Sequence, residues 1–408
     1  MTIYLLSKYN PFAVPSASSN RYIGLLKGLS HLGYDITVLI TGGYYNQEEK
    51  KVYGKKGEIY ALKYQYLSNY ANTSLNRRRI YEYFLKPFLF KFLAQKFKAL
   101  TNQINQNHIV WIRTDIINFK LVNSIEKKLN QSYFMEINEF PDIHLNNNST
   151  RFFWQKSSAT LSHDYFNKNI LPNLDGLALM TKTLYDYFEP KCSPKTQMLH
   201  LPMTVDLDRF NLNLNHDRLN STNETYIAFL GSMNDTKDGV NILIESFINI
   251  ASKHPTVQLC LFGFWAYDTQ KHLDLIENSG LEHRILYSKA IDSSEVINVL
   301  MNATLLVLPR PDSYQAQGGF PTKLGEYLAT TKPVIATTVG EIPNYLKDRE
   351  SVFFCKPGDV ESLKETLDYA LSNPELATKI GIEGRKVAET VFSTNVQSQR
   401  LNLFLHSL

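Results

Sequence analysis

Cysteine is scarce in this chain of 408 residues: there are three, and no two of them form a C-x-x-C pair. So sparse and odd a set argues against a disulfide framework and against a thiolate zinc site, and it favours a reducing compartment. The ten histidines form no H-x-x-x-H or H-x-E arrangement. No metal site and no metal cofactor are therefore predicted.

Long hydrophobic runs are also absent. The best candidate, Tyr83–Phe97, is interrupted by Lys86, Pro87, Lys91 and Lys96, so no membrane-spanning helix is expected. The N-terminal sequence MTIYLLSKYNPF has neither the basic nor the long apolar region of a signal peptide. With 43 basic and 39 acidic residues the net charge is only +4, which does not suggest a nucleic-acid-binding protein. We expect a soluble, cytoplasmic protein.

What the chain does contain is a repeated alternation of short apolar runs and longer amphipathic stretches. Short apolar runs separated by helices are typical of parallel sheets that are covered on both faces. The predicted strands are Ile3–Ser7, Ile36–Ile40, Ile109–Ile112, Tyr133–Ile137, Leu177–Met180 and Met198–Leu201 in the first half, and Tyr226–Leu230, Gln258–Phe262, Ile285–Tyr287, Thr304–Leu308, Val334–Thr337 and Val352–Phe354 in the second. A first helix is predicted over Asn20–Leu32, ended by Gly33.

The asparagine-rich stretch 211–225 resembles a linker. We therefore predict an α/β protein with two doubly wound, Rossmann-like domains, divided between residues 205 and 206. Ligands of open α/β sheets bind beyond the carboxyl ends of the strands, so the expected site is the cleft where the two sets of ends face each other.

The segment 305–338 has the features of an anion site. A predicted strand ends at Leu308, Gly318 and Gly319 follow in a polar loop, and Pro321 and Thr322 start a helix. Glycines allow backbone N–H groups to approach a ligand, and a helix N-terminus attracts negative charge. Glu326, one turn into the helix, is positioned to accept hydrogen bonds from ribose hydroxyls. The alternative is a tight strand-to-helix turn with an exposed glutamate.

The segment 229–247 has the same arrangement. A strand ends at Gly231, Lys237 lies in a polar loop, and a helix begins near Gly239. Lys237 is a candidate diphosphate ligand, or else an ordinary solvated lysine. Gly263, at a third strand end, lies where a larger side chain would block the cleft.

These landmarks resemble the donor-binding domain of retaining family 4 glycosyltransferases, which have the GT-B fold. The resemblance covers roughly residues 198–395 and runs through HLPMTVDLDRF, FLGSMNDTKDGV, LFGF, LLVLPRPDSYQ, GGFPTKLGEYLATTKPVIATTVGEIP and GRKVAETVFS. It implies a nucleotide-binding domain at 206–392 and a C-terminal segment, 393–408, that crosses back to the acceptor domain at 1–205.

The resemblance also implies roles for individual residues. Glu326 holds the nucleotide ribose, Lys237 contacts the phosphates and acts in catalysis, and the loop before Glu326 cradles the diphosphate and sugar. The implied donor-binding set is Gly231, Ser232, Lys237, Gly263, Arg310, Gly318, Gly319, Phe320, Pro321, Thr322, Lys323 and Glu326.

Two positions depart from the family pattern. Gly318 stands where the first of two glutamates eight positions apart is frequent, which obscures the identity of the donor sugar. Ser232 stands where an arginine is often found. Our hypothesis is that Arg310 replaces that arginine and shares in catalysis; the alternative is a structural ion pair of Arg310 with Asp312 or another carboxylate.

The first half resembles the acceptor domain more loosely. Ser18, Asn20 and Arg21, after the first strand, are candidate acceptor ligands or else an N-cap and loop. Glu139, after the strand YFMEINEFP, is the candidate catalytic base or else a cap or salt-bridge carboxylate. His144 is assigned to the acceptor side or to a structural role.

A further unusual segment, 77–98, holds seven basic residues and one acidic residue among Phe, Tyr and Leu. This composition suits contact with an anionic membrane surface, so a peripheral position on the inner face of the plasma membrane is a hypothesis. The alternative is an amphipathic helix packed on the sheet, with outward-pointing lysines.

Together these features predict a retaining glycosyltransferase. It would transfer a sugar from a nucleotide-diphosphate sugar to a hydroxyl of a glycan or lipid-linked acceptor, without a cofactor, in polysaccharide or glycolipid synthesis. Two alternatives stay open: a sugar-nucleotide epimerase of the same architecture, and a non-catalytic partner of a transferase. A Rossmann dehydrogenase is disfavoured because neither half carries G-x-G-x-x-G.

Overall fold

The chain folds into two units in a computed structural model. The structure describes residues 1–13, 16–69, 86–102, 106–141, 160–210, 225–264, 266–289, 291 and 293–408. The first unit comprises Met1–Pro202 and Gln397–Leu408, and the second comprises Met203–Val396. The sequence placed the division three residues further along, between residues 205 and 206.

The first unit contains a sheet of eight strands in the described residues, in the order β3-β4-β2-β1-β5-β6-β7-β8. Neighbouring strands are parallel except for β3 and β4. The strands are β1 Thr2–Ser7, β2 Asp35–Ile40, β3 Lys56–Ile59, β4 Leu62–Tyr66, β5 His108–Ile112, β6 Gln131–Ile137, β7 Gly176–Leu179 and β8 Gln197–His200. Among the described residues, the α-helices of this unit are α1 Ala17–His31, α2 Gln47–Tyr53, α3 Lys86–Asn102, α4 Ile116–Asn123 and α5 Lys182–Phe188.

The six strands predicted for this half are present, but the β3–β4 hairpin was not predicted. Its turn residues are Tyr60 and Ala61, with φ of 54° and 60°. Two-residue hairpin turns usually carry Asn-Gly or Asp-Gly at such left-handed positions. The hairpin therefore lacks the turn residues by which a sequence reveals it.

Helix α1 begins three residues earlier than predicted. The hydroxyl of Ser16 accepts a hydrogen bond from the N–H of Ser19 at 3.0 Å, so Ser16 is the N-cap. The helix ends at His31, and Gly33 follows with φ of 91°. Its apolar face, with Leu25, Leu26 and Leu29, is fully buried in the core of the first unit.

The second unit contains a sheet of six parallel strands in the described residues, in the order β11-β10-β9-β12-β13-β14. The strands are β9 Thr225–Ser232, β10 Val257–Phe264, β11 Ile285–Ser288, β12 Leu305–Leu308, β13 Val334–Thr337 and β14 Phe353–Cys355. The α-helices are α6 Asp235–Asp238, α7 Val240–Ile250, α8 Thr269–Ser279, α9 Ser293–Asn302, α10 Tyr314–Gly318, α11 Thr322–Ala329, α12 Ile342–Tyr345, α13 Val360–Ser372, α14 Pro374–Val387 and α15 Thr394–Leu405.

Burial of apolar side chains explains this second sheet. Phe229 on β9 and Leu305 on β12 are buried together with Leu243 and Phe247 on α7, in one continuous core. Strands covered on both faces read as continuous apolar runs, and this is the pattern from which all six strands were predicted.

Helix α15 begins in the second unit, and its residues from 397 onward pack with the first. Tyr34 Oη donates to Asn402 Oδ1 at 2.8 Å, and Arg400 Nη2 donates to the carbonyl of His200 at 2.9 Å. Across the described part of the chain, no helix combines the length and the apolar character needed to cross a membrane.

Candidate functional site

The carboxyl ends of β9 and β10 come unusually close at two glycines. Gly231 and Gly263 are direct neighbours in the register of the two strands. A Cβ added to Gly263 would overlap the carbonyl oxygen of Gly231, so the glycine is needed for the approach of one backbone to another. This corrects the reason given from the sequence, which was clearance for a ligand.

Lys237 lies in the short helix α6, not in the loop that was predicted. The side chain of Asn234 caps this helix by accepting from the N–H of Lys237 at 2.9 Å, and the lysine side chain is exposed. Gly239 ends the helix with φ of 67°, and a Cβ there would overlap the carbonyl oxygen of Pro309. Helix α6 is therefore held against the loop that follows β12.

A polar network around Asp235 anchors the start of α6. Asp235 Oδ1 lies 2.6 Å from His272 Nε2, Asp235 Oδ2 accepts from Lys271 Nζ at 3.0 Å, and His272 Nδ1 lies 2.9 Å from Tyr287 Oη. Burial alone would raise the pKa of Asp235, but hydrogen bonds from His272, Lys271 and the N–H of Asn241 lower it to about 2. The ionised carboxylate thus stabilises the turn that carries Lys237.

Ser232 and Lys323 meet at Asp238, the last residue of α6. Ser232 Oγ donates to Asp238 Oδ2, and Lys323 Nζ donates to Asp238 Oδ1 at 2.8 Å. The Asp238 side chain is 5% exposed and that of Lys323 is 23% exposed. The sequence placed both Ser232 and Lys323 in the donor set but did not identify Asp238, their common partner.

Glu326, the predicted ribose ligand, forms an ion pair on helix α11. Arg209 Nη1 donates to Glu326 Oε1 at 2.8 Å, and both side chains are partly exposed. Helix α11 begins at Thr322, as predicted, and is held to β9 by Tyr327, whose hydroxyl accepts from the N–H of Leu230 at 2.9 Å. The position of Glu326 relative to the strand end is therefore well defined.

Arg209 was not identified from the sequence, although it lies in the quoted motif HLPMTVDLDRF. Val205 is bound on both sides, by its N–H to the carbonyl of Phe392 and by its carbonyl to the N–H of Thr394. A Cβ on Gly325 would crowd Met203 and Val205. The absence of a side chain at Gly325 therefore lets the chain at 203–205 approach α11. The turn at Leu207–Phe210 then brings Arg209 to Glu326.

The predicted glycine loop before α11 is partly helical. Helix α10 ends at Gly318, and the N–H of Gly319 donates to the carbonyl of Gln315 at 3.0 Å, so it does not face a ligand. Phe320 is 5% exposed and packs against Tyr345 and Phe392. The ligand contacts expected of Gly319 and the Phe320 ring are thus replaced by structural ones.

Pro321 and Thr322 are half-buried at the start of α11. Pro321 is the N-cap residue, and in the described residues no side chain caps this helix. Uncapped N–H groups at a helix N-terminus carry partial positive charge, which fits the predicted anion site.

Arg310, after the end of β12, is 7% exposed. Its Nη2 donates to the carbonyl of Gln315 at 3.0 Å, and its own carbonyl accepts from Thr337 Oγ1 at 2.6 Å. Asp312, the alternative partner named from the sequence, accepts from Gln317 Nε2. The guanidinium is close enough to Lys323 for its charge to lower the pKa of that lysine.

In the first unit, Arg21 has a structural role in place of the expected acceptor contact. Its Nε donates to the carboxylate of Glu136, and its two terminal nitrogens donate to the carbonyls of Leu201 and Pro202. The side chains of Arg21 and Glu136 are 1% and 0% exposed. An arginine bound on three sides and hidden from solvent does not bind an acceptor.

Ser18 and Asn20 lie on the exposed first turn of α1, and Glu139 is exposed just after β6. Ser18 Oγ accepts from Arg113 Nη2 at 3.0 Å, and Arg113 Nη1 reaches Ser7 Oγ at 3.1 Å. The sequence gave no signal for Arg113, which lies just past the end of β5. His144 lies outside the described residues.

No cluster of three or more His, Cys, Asp or Glu residues in the described part of the chain is arranged to hold a metal ion. Lys323 is paired with Asp238 near the end of β9, and the charges of Lys237 and Arg310 act on Lys323.

Comparison with known proteins gives this geometry a context. Residues 213–387 match the family described as "Glycosyl transferases group 1". A GDP-mannose-dependent monoacylated alpha-(1-6)-phosphatidylinositol monomannoside mannosyltransferase of Corynebacterium glutamicum is 27% identical over 222 residues, 51% of this chain and 56% of that protein. The capsular polysaccharide biosynthesis glycosyltransferase CapM of Staphylococcus aureus is 26% identical over 198 residues, 47% of this chain and 50% of that protein. The chain thus spans about half the length of the curated relatives that it matches.

Among solved structures, sucrose-phosphate synthase of Thermosynechococcus elongatus superposes with a TM-score of 0.75 at 16% identity, over 100% of this chain and 98% of that one. The likeness confirms the predicted GT-B fold. The match to the glycosyl transferases group 1 family falls within the second unit, at residues 213–387.

Proposed function

We propose that this protein is a retaining glycosyltransferase that moves a sugar from a nucleotide-diphosphate sugar to a hydroxyl of a glycan or lipid-linked acceptor. The observation that carries the proposal is the grouping of Lys237, Arg310 and Lys323 at the ends of β9 and β12, with Glu326 one helical turn beyond Lys323. The donor named for the mannosyltransferase relative, GDP-mannose, is a nucleotide-diphosphate sugar. That relative and CapM act in glycolipid and polysaccharide synthesis by name, which supports the same acceptor classes here.

In this proposal the cations stabilise the departing diphosphate. Charge develops on the leaving oxygen as the glycosidic bond breaks, and preorganised positive groups stabilise that charge most where water is partly excluded. Lys237 is the exposed cation and Arg310 the buried one. Glu326 accepts hydrogen bonds from the ribose, and Gly318, Pro321 and Thr322 form the backbone around the diphosphate and sugar.

Glu139 is retained as the proposed base for the acceptor hydroxyl. It is exposed at the end of β6, where a carboxylate is accessible to a bound substrate. Its substitution by Gln would abolish transfer while leaving donor binding intact, because only the acceptor proton needs it.

The experiment that tests the proposal is a screen of UDP-, GDP- and dTDP-sugars, and of the free diphosphates, for thermal stabilisation of the wild type and Glu326→Ala. We expect one nucleotide series to stabilise the wild type and to lose most of that effect in the variant. Incubation with the selected donor and candidate acceptors, followed by NMR of the product anomer, tests transfer and retention. An altered donor sugar formed without acceptor would instead identify an epimerase. Absence of stabilisation by every nucleotide would contradict the proposal.

A membrane-surface contact through residues 77–98 is proposed separately. Residues 77–85 lie outside the described residues, and 86–98 fall in helix α3, whose first turn tolerates Pro87. Phe92 is 49% exposed beneath Lys96 Nζ at 4.1 Å, whereas Leu93 and Phe97 are buried. The buried pair supports packing on the sheet, and the exposed Phe92 with its lysine supports the membrane contact. Sedimentation with anionic and neutral liposomes at low salt tests it; equal binding to both would contradict it.

A further inference from the structure

The end of β9 is covered by the ammonium group of Lys323. This side chain rises from the first turn of α11, and its Nζ lies 5.0 Å from the centre of the Phe229 ring. A Cβ added to Gly231 would overlap that Nζ. The lysine therefore occupies the space above the strand end that a side chain at position 231 would fill.

Asp238 is the carboxylate that holds this lysine. Its two oxygens are divided between Lys323 and Ser232, and it is almost fully buried. Ser232 is the position at which the resembling family often carries arginine. Here the residue has no charge, and its hydroxyl orients the carboxylate toward Lys323.

Two further cations act on Lys323 besides its partner Asp238. Burial lowers the pKa of Lys323, the Asp238 carboxylate offsets part of that effect, and the charges of Lys237 and Arg310 lower the pKa further. An anion that binds at Lys323 would relieve this repulsion. Positive groups removed from water are unfavourable unless opposite charge compensates them, so these cations favour the arrival of a second anion.

We propose that Lys323 supplies the phosphate-binding charge that position 232 lacks, with Asp238 as the counter-ion that a bound diphosphate displaces. This inference rests on the proposed function and assigns the missing charge to Lys323, where the sequence assigned it to Arg310. Lys323 and Glu326 lie one helical turn apart on α11. One rigid helix therefore presents both the phosphate ligand and the ribose ligand.

Calorimetric titration of the wild type with UDP, GDP and dTDP, and with the matching monophosphates, tests the inference. Lys323→Met removes the charge and retains most of the side-chain volume. Lys332→Met is the matched control, because Lys332 is another half-buried lysine of this unit but precedes β13, at the opposite end of the strands. Asp238→Asn removes the competing carboxylate charge and keeps the side-chain shape.

We expect Lys323→Met to weaken diphosphate binding by about tenfold or more, because a hydrogen bond to a charged group is lost, and to reduce the preference for diphosphate over monophosphate. Lys332→Met should bind both as the wild type does. Asp238→Asn should bind diphosphate more tightly, since Lys323 no longer has to leave a carboxylate. An unchanged diphosphate preference in folded Lys323→Met would overturn the inference while the proposed function stands.

If Lys323→Met does not fold, the binding of diphosphate by Asp238→Asn tests the inference. Tighter diphosphate binding by this variant supports the inference, and unchanged or weaker binding overturns it. Failure of the wild type to bind any of the nucleotides would overturn the proposed function, and the inference with it.

Discussion

The ends of the strands in the two units carry similar charged residues in contrasting surroundings. In the first unit, Arg21 and Glu136 form a pair that is 1% and 0% exposed, and each terminal nitrogen of the arginine donates to a backbone carbonyl. In the second unit, Lys237 is exposed, and Lys323, which is paired with Asp238, keeps 23% of its side chain exposed. A charge that is fully compensated within the fold stabilises it, whereas a surplus of accessible charge is available to a ligand.

The largest expected effect comes from breaking the compensated pair. Glu136→Gln leaves the Arg21 charge buried without its counter-ion, which should reduce the free energy of unfolding by about 3–5 kcal/mol. Urea unfolding followed by circular dichroism measures this. A loss below about 1 kcal/mol, as for a surface ion pair, would contradict the view that Arg21 is structural.

For the partly exposed Glu326 in the second unit, Glu326→Gln should weaken nucleotide binding and leave the free energy of unfolding unchanged. Loss of a charged acceptor for the ribose hydroxyls should weaken nucleotide binding by about 1.5–3 kcal/mol. Titration with the nucleotide selected by the thermal screen measures this, and the midpoint of urea unfolding serves as control. Unchanged affinity would remove Glu326 from the proposed donor site.

Within the second unit, Asp235 should contribute to the stability of the fold, and this contribution should depend on pH. The pKa of Asp235 is lowered to about 2, so its ionised form stabilises the folded state above pH about 4 and this contribution is lost as the pH falls toward 2. Its full size is about 2 kcal/mol. Asp235→Asn should flatten the loss of stability between pH 4 and pH 3, measured by urea unfolding. If stability fell with pH in the variant as it does in the wild type, the role given to the hydrogen bonds of Asp235 with His272 and Lys271 would be wrong.

A smaller effect is expected from Arg209, which we infer to be a positioning residue for Glu326. Because the pair is partly exposed, Arg209→Met should weaken nucleotide binding by about 1 kcal/mol or less. The shift should appear in the KM for the donor and not in kcat, and Arg209→Lys should restore part of it. Equal changes in kcat and kcat/KM would indicate a role in the reaction itself.

The smallest effect is expected for an exposed ion pair. Lys63 and Asp35 lie 2.8 Å apart with side chains 54% and 57% exposed. Lys63→Met should change the free energy of unfolding by less than about 1 kcal/mol, in contrast to Glu136→Gln. A change as large as that of the buried pair would show that exposure does not govern these contributions.

Much of the fold could be predicted because it depends on local patterns. The apolar runs of the second half marked all six strands of its sheet, and Pro321 and Thr322 marked the start of α11. The hairpin at Tyr60 and Ala61 escaped because its turn uses neither glycine nor asparagine. The residue types at the six strands and at the start of α11 match the local conformation. Those in the turn at Tyr60 and Ala61 do not.

The site was less predictable because its contacts join distant parts of the chain. Arg21 lies 115 positions from Glu136, and Arg209 lies 117 positions from Glu326. Nothing next to Arg21 marks it as buried, so an arginine after a strand resembled a ligand-binding residue. Asp238 was overlooked for the same reason, since its lysine partner is 85 positions away.

The space above Gly231 is filled by two side chains, the flexible end of Lys323 and the ring of Phe229. An alanine at position 231 would require both of them to move. Gly231→Ala should therefore displace the ammonium group from its place above the strand end even where the fold accepts the added methyl group. The absence of a side chain at position 231 thus fixes where the charge of Lys323 lies.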